Sequence, residues 1–308
     1  MKILVFGAGA IGSLMIHALC RAGNDVTVVA RSTYDDLRRR GVVIYHYFQK
    51  NLTVDGPRIV DHADEKTHYD IVFSVLQGQQ QNELLDTFAK LNTRRIVLVG
   101  NNTSSEEQER YILDHAVSPR KVLFGFQGSA GHREKGRTVC ARLPVTELVI
   151  GGSHHSASDY DKKLISHIFR GSVIKPNYID DMDAYYHYHM AEILPYAFIC
   201  YKYDCDLKKV TGEDVVDIMS ATKEAFDMLG SKGYPVMPPN EEKYYESGVK
   251  RKAMQTLYRI MSRTVLGELM ISDHCKNARP EMTYLCGYFS SLRGEDDKMP
   301  VWDRIRTL

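Results

Sequence analysis

Hydrophobic residues in the first half of the chain form short continuous runs that alternate with longer amphipathic stretches. The runs are rich in β-branched residues and apolar at successive positions, which is typical of strands buried on both faces of a parallel sheet. The stretches at 11–22 and 79–91 have helical spacing. This alternation predicts an α/β fold with a doubly wound parallel sheet. Its predicted strands are Ile3–Phe6, Val26–Val29, Asp70–Val75, Arg95–Val99 and Lys121–Gly125.

The pattern changes near residue 177, after which long stretches run without glycine or with a single one. Their length and spacing predict helices and no strands. The predicted helices cover 185–202, 213–229, 249–266 and 281–291. We therefore expect two domains, an α/β domain over 1–176 and a smaller all-helical domain over 177–308.

A glycine motif, Gly7-Ala8-Gly9-Ala10-Ile11-Gly12, joins the first predicted strand to the first helix. Such a motif also occurs as a plain turn, but its place between strand and helix favours a dinucleotide-binding loop of the Rossmann type. Gly7 would make the tight turn, Gly9 would let a diphosphate approach the backbone, and Gly12 would let the helix pack closely. The helix start, with Ala10 and Ile11, would offer N–H groups to the phosphates.

The residue type at the end of the second predicted strand indicates whether such a fold binds NAD or NADP. An NAD-binding protein usually has Asp or Glu there, for the ribose hydroxyls. This chain has Arg31 instead, followed by Ser32 and Thr33. Arg31 can bind a 2′-phosphate with two N–H groups, although it could also be a solvated surface arginine. The sequence therefore favours NADP(H).

Composition and charge narrow the class of protein. The 308 residues are 44% hydrophobic and 26% charged, as in ordinary globular proteins. A net charge of +1 gives no reason to expect a nucleic-acid partner, and no apolar run predicts a membrane span. The six cysteines lack the spacing of a metal site, so we expect no metal, no disulfides and a cytoplasmic protein.

These features together resemble the ketopantoate reductase (2-dehydropantoate 2-reductase) family. Besides the glycine motif and Arg31, Gly100-Asn101-Asn102 resembles the family's motif beside the nicotinamide. The segment 279–287 resembles its C-terminal segment. The resemblance implies an NADPH-dependent reductase of a 2-keto acid, with a cleft between the two domains. The helical domain would bind substrate or form a homodimer.

The resemblance also implies roles for single residues. Asn101 and Glu281 match polar family residues and are expected in the catalytic site. His189 stands where the family has the lysine that protonates the new alkoxide, and Gln77 replaces a lysine near the nicotinamide. Other polar substrate-binding residues of the family, two asparagines and a serine, correspond to Ile193, Ala197 and Leu269.

An imidazolium could replace the lysine as the acid. Tyr185, His189 and Glu192 share a helix face, and Glu192 could orient His189 and raise its pKa. Alternatively, this tyrosine- and histidine-rich helix serves only as wall and core. His187 points about 160° away from His189, which favours a structural role.

Two functions therefore stay open. One is an NADPH-dependent reductase of a 2-keto acid or related carbonyl, with altered catalytic residues. The other is a non-catalytic NADP(H)-binding sensor or interaction protein.

Overall fold

The computed structural model describes all 308 residues. The chain divides into two compact units, Met1–Asp183 and Ala184–Leu308. The boundary that the sequence suggests, near residue 177, falls inside the last strand of the first unit, Ile174–Tyr178.

The strands of the first unit are β1 (Lys2–Phe6), β2 (Asp25–Val29), β3 (Val42–His46), β4 (Asn51–Asp55), β5 (Arg58–Val60), β6 (Ile71–Val75), β7 (Arg95–Val99), β8 (Lys121–Gln127), β9 (Ala130–Glu134), β10 (Arg137–Ala141), β11 (Thr146–Gly151) and β12 (Ile174–Tyr178). Eight of them form one sheet with the order β12-β11-β8-β7-β6-β1-β2-β5. All neighbouring strands in it are parallel except β8 and β11. The five predicted strands are confirmed as β1, β2, β6, β7 and β8. The chain steps from β1 to β2 on one side and returns to β6 on the other, and ligands bind at such switch points in open α/β sheets.

A second sheet of four strands, in the order β4-β3-β10-β9, was not predicted. Helix α1 (Ala10–Arg21) packs against this sheet as well as the large one, and its residues 12–19 are all buried. The hydroxyls of Ser13 and Thr138 lie 3.0 Å apart at this contact. The first helix of the unit is therefore enclosed by two sheets.

The remaining helices of the first unit are short. The single helix predicted over 79–91 is wrong, because the chain forms two helices separated by a turn at Glu83 and Leu84. The buried Gln81 amide donates to the carbonyls of Ser74, Leu76 and Val99, which ties the first of these helices to the ends of β6 and β7. The helices are α2 (Tyr34–Arg40), α3 (Gly78–Asn82), α4 (Leu85–Lys90), α5 (Ser105–Asp114) and α6 (Asp159–Ile168).

The second unit contains helices and no strands, as predicted. Its core includes Trp302, whose ring lies 5.1 Å from that of Phe198 and 4.8 Å from that of Phe289. The helix predicted over 249–266 is wrong at its end, because it stops at Met261. No helix of the protein is long and apolar enough to cross a membrane. The helices are α7 (Met182–Lys202), α8 (Gly212–Ser231), α9 (Val249–Met261), α10 (Val265–Gly267), α11 (Asp273–Asn277), α12 (Arg279–Ser291) and α13 (Pro300–Ile305), with 3-10 turns at Leu207–Lys209 and Glu241–Tyr244 and a π-helical turn at Glu268–Ser272.

Candidate dinucleotide site

The glycine loop, Gly7–Gly12, follows β1 at the switch point, and its three glycines meet different surroundings. Gly7 has a φ of +92°, and a Cβ there would lie 2.4 Å from the carbonyl oxygen of Val75. A Cβ on Gly12 would lie 2.2 Å from the carbonyl oxygen of Gly7. A Cβ on Gly9 would meet no atom within 4 Å. Gly7 and Gly12 are therefore required by the fold, whereas Gly9 faces open space.

The start of α1 is suited to an anion. Gly9 is its N-cap residue, and neither a side-chain cap nor an acidic residue occurs in the first turn. Gly9 is exposed, and Ala10 and Ile11 are partly exposed. The first N–H groups of a helix have no partner within it, and they carry a partial positive charge. These residues fit the diphosphate of a dinucleotide.

Two further loops lie against one another beside the glycine loop, at the ends of β6 and β7. A Cβ on Gly78 would lie 3.1 Å from the carbonyl oxygen of Asn101, and one on Gly100 would lie 2.7 Å from that of Leu76. Gln77 caps α3, and its side-chain oxygen accepts a hydrogen bond of 2.8 Å from Gln79. The structure thus brings Gln77 and Asn101 to the sheet edge that carries the glycine loop.

Arg31 follows the end of β2, the strand on the other side of β1. The N–H of Gly7 donates to the carbonyl of Val29 over 3.2 Å, which joins the glycine loop to this strand end. Arg31 is exposed, and no carboxylate forms an ion pair with it. Its guanidinium therefore keeps its donors available to an anion at this edge.

One cationic side chain that lies at the glycine loop was not predicted from the sequence. Arg133 lies on β9 of the small sheet, and its Nη1 donates to the carbonyl oxygen of Ala8 over 3.0 Å. The hydroxyl of Ser13 donates to the same oxygen over 3.3 Å. No local pattern indicates this position, because β9 has no fully buried residue and its sequence does not show which elements the strand packs against.

In the second unit, α7 has one face whose residues are only partly buried, which we call the open face of α7. His189 lies on it, stacked on Tyr185 with ring centroids 6.1 Å apart and planes 7° from parallel. The members of the open face are Tyr185, His189, Glu192, Ile193 and Tyr196.

The pKa values of His189 and Glu192 both lie far from the usual values of these side chains. Burial and, to a smaller extent, the nearby His274 lower the pKa of His189 to about 4. The expectation that Glu192 raises the pKa of His189 is therefore wrong. Burial and then the neighbouring Glu241 raise the pKa of Glu192 to about 8. Near pH 7 the imidazole is neutral and the carboxyl group of Glu192 is protonated.

Glu192 belongs to a network of hydroxyl groups. The Tyr245 hydroxyl donates to its carboxyl oxygen over 3.0 Å, and that hydroxyl lies 3.1 Å from the hydroxyl of Tyr258. His187 is instead buried on the other side of α7. It stacks on Tyr234 with centroids 4.3 Å apart and lies 3.1 Å from the Tyr288 hydroxyl. These contacts give His187 the structural role expected of it.

Residues 3–153 match the family model described as "Ketopantoate reductase PanE/ApbA". This part of the chain belongs to the ketopantoate reductase family. Family members bind NAD(P)H on a Rossmann-type fold. No curated protein matches the sequence significantly.

Solved ketopantoate reductases share the fold at low sequence identity. A 2-dehydropantoate 2-reductase from Geobacter metallireducens GS-15 has a TM-score of 0.74 and 14% identity, covering 100% of this chain and 98% of its own. D-mandelate dehydrogenase with NADH and anilino(oxo)acetate has a TM-score of 0.62 and 14% identity, covering 95% and 98%. A dimeric ketopantoate reductase from Staphylococcus aureus has a TM-score of 0.60 and 11% identity, covering 99% and 100%. The whole chain therefore shares the fold of these enzymes at low sequence identity.

The other residues matched to the family lie in the second unit. Glu281 is buried in the first turn of α12. Leu269 is 6% exposed in the π-helical turn, and Ala197 is 1% exposed on α7. The structure thus gathers the glycine loop, Arg31, Gln77 and Asn101 at one sheet edge of the first unit, while His189 and Glu281 belong to the second.

Proposed function

We propose that this chain is an NADPH-dependent reductase of a 2-keto acid or a related carbonyl compound. The observation that carries the proposal is the glycine loop, in which Gly7 and Gly12 are packed against backbone and Gly9 is left open. An uncapped helix start without acidic residues supports phosphate binding at the same place. Membership of residues 3–153 in the ketopantoate reductase family supports the reaction class.

NADP(H) is the proposed cofactor because an arginine, and no acidic residue, stands at the end of β2. Arg31 is exposed beside the glycine loop and pairs with no carboxylate, which suits a guanidinium that binds a 2′-phosphate. Gln77 and Asn101 would then lie toward the nicotinamide end. The second unit is the proposed substrate and dimerisation domain. The dimeric ketopantoate reductase of the same fold supports the homodimer.

The bound cofactor would supply a hydride to the carbonyl carbon, and this leaves negative charge on the carbonyl oxygen. A group that donates a hydrogen bond or a proton to this oxygen lowers the barrier. We propose that the open face of α7 provides it. His189, as a neutral imidazole, would donate a hydrogen bond, and Glu192, protonated near neutral pH, would supply the proton. The buried Glu281 would bind a polar group of the substrate.

The residues around this chemistry favour a substrate less polar than ketopantoate. Ile193 and Leu269 stand where the family has polar substrate-binding residues, and Tyr185 and Tyr196 add aromatic surface to the open face of α7. A polar substrate atom left unpaired against them costs about 1–3 kcal/mol. The likeness in fold to D-mandelate dehydrogenase, solved with anilino(oxo)acetate, supports an aromatic substrate.

A steady-state assay of NADPH oxidation tests the proposal. The panel contains ketopantoate, pyruvate, a branched aliphatic 2-keto acid and a phenyl-substituted one. We expect the apolar members to react best, and ketopantoate to fall at least about three decades below the usual kcat/KM range of roughly 10⁴–10⁸ M⁻¹s⁻¹. His189→Asn should reduce turnover strongly, while His167→Asn, at an exposed histidine of α6, should not. Brisk reduction of ketopantoate would contradict the substrate proposal.

A second function has its own support. The lowered pKa of His189 and the apolar residues Ile193 and Leu269 suit a protein that binds NADP(H) without turnover. Such a sensor or interaction module would bind NADPH tightly in calorimetry and oxidise it with no member of the panel. Turnover of any member above the uncatalysed rate decides for the reductase.

A further inference from the structure

The small sheet places a cation on the glycine loop that the motif does not contain. β9 and β10 pair as an antiparallel hairpin in which Arg133 is opposite Thr138. The Thr138 hydroxyl lies 3.0 Å from that of Ser13 in α1, and both residues are buried. This contact fixes the hairpin against the first turn of α1.

Arg133 reaches the loop from this hairpin. Its Nη1 donates to the carbonyl oxygen of Ala8, one residue before Gly9, over 3.0 Å. Arg133 is otherwise exposed and forms no ion pair, because its neighbour Glu134 points to the opposite face of the strand, where it is bound by Arg137 over 2.8 Å. A guanidinium has five N–H donors in a rigid plane, so the contact with Ala8 leaves others for a second partner.

We propose that Arg133 is a second anion-binding residue of the cofactor site, which binds the dinucleotide's diphosphate beside the glycine loop. This inference rests on the proposed function. Two features next to the guanidinium point to an anion there: the uncapped start of α1 and the open space at Gly9. Arg31 follows β2, whereas Arg133 comes from the small sheet. The two arginines therefore serve different phosphates.

Because the two arginines bind different phosphates, their variants should lose affinity for different ligands. The diphosphate is common to NADH and NADPH, so Arg133→Ala should weaken both by the same factor, about 10- to 100-fold for one charge-assisted contact. Arg31→Ala should weaken NADPH alone. Adenosine 2′-monophosphate has no diphosphate, so its affinity should fall in Arg31→Ala and stay unchanged in Arg133→Ala. ADP-ribose should show the reverse.

The experiment is calorimetric titration of the full chain and its variants with these four ligands. Arg137→Ala is the matched control, because it removes an exposed arginine of the same hairpin that does not contact the glycine loop. Arg133→Lys keeps the charge and should recover part of the lost affinity. Thermal unfolding without ligand should give the same Tm for Arg133→Ala and Arg137→Ala.

Each outcome decides a separate point. Unchanged affinity of Arg133→Ala for both dinucleotides overturns the inference and leaves the proposed function intact. Loss of adenosine 2′-monophosphate binding in Arg133→Ala, or a Tm well below that of Arg137→Ala, also overturns it, because the arginine would then support the loop as a whole. Failure of the unaltered protein to bind either dinucleotide refutes the proposed function itself.

Discussion

Gly9 and Gly12 offer a test that separates folding from ligand binding within one motif. Gly9→Ala adds a methyl group where no atom lies within 4 Å, at a φ of −69° that alanine adopts freely. Alanine lowers the conformational entropy of the unfolded chain, which stabilises the folded protein by about 0.4–1 kcal/mol. Alanine is a poorer N-cap than glycine by a similar amount. We therefore expect the free energy of unfolding to change by less than about 1 kcal/mol.

Gly12→Ala differs because its methyl group would lie 2.2 Å from the carbonyl oxygen of Gly7. Backbone must move by about an ångström to accommodate it, and overpacking of this kind typically costs about 1–3 kcal/mol. The expected result is a lower Tm for Gly12→Ala and an unchanged Tm for Gly9→Ala.

Ligand binding should reverse this order of severity. In Gly9→Ala the methyl group occupies the space through which a diphosphate reaches the helix start, so NADPH affinity should fall at least about tenfold in a stable protein. Urea unfolding and calorimetric titration on the same samples measure both quantities. Wild-type affinity for NADPH in Gly9→Ala would refute the assignment of the glycine loop as the phosphate site.

Three other variants test the ionisable residues Arg31, Asp214 and Glu192. Arg31→Ala should lower NADPH affinity about tenfold or more and leave NADH unchanged, and equal calorimetric affinities of the unaltered protein for both would contradict the preference. Burial opposes ionisation of Asp214, but hydrogen bonds led by that of Lys202 lower its pKa to about 2. A carboxyl group whose pKa is lower in the folded than in the unfolded protein stabilises the fold above the unfolded pKa, so about 2 kcal/mol should be present above pH ~4 and lost as the pH falls toward ~2; urea unfolding of Asp214→Asn should show a clearly smaller deficit at pH 3 than at pH 7. The pKa of Glu192, raised to about 8, predicts a kcat that falls as the pH rises through 8, and Glu192→Gln should remove this limb of the pH profile if the residue is the acid.

The parallel core of the first unit could be predicted because its strands are mostly apolar and almost entirely buried. β6 is buried along its whole length and β7 over all but its first residue, so each appears in the sequence as a continuous run. The two edge strands of the small sheet, β4 and β9, give no such signal. β4 is mostly exposed, and β9 reads Ala-Gly-His-Arg-Glu, with no fully buried residue. These strands are defined by pairing and by their contact with α1, which a local pattern does not contain.

The candidate site was predictable to the extent that it depends on backbone. Gly7 and Gly12 are required by φ and by close approach, and such requirements leave a fixed spacing in the sequence. Arg133 could not be found in this way, since it contacts Ala8 across 125 positions of the chain. The shift in the pKa of His189 was predicted in the wrong direction. Sequence spacing shows which residues are its neighbours on the helix, but it shows neither its burial nor the nearby His274.

Burial shifts the pKa values of His189 and Glu192 in opposite directions, and it leaves both side chains uncharged. Removal from water disfavours the charged form of any group, so it lowers the pKa of an imidazole and raises that of a carboxyl group. Both side chains are therefore neutral near pH 7.

A lysine at position 189 would have brought a positive charge able to pair with a substrate carboxylate as well as to protonate the alkoxide. The pair found here retains a proton donor but not the charge. In the reaction that we propose, a carboxylate on the substrate would have to be bound by other residues, and a carbonyl compound without one would lose nothing at the open face of α7. A ketone or aldehyde that matches the phenyl-substituted acid but lacks its carboxylate distinguishes these cases by its relative kcat/KM.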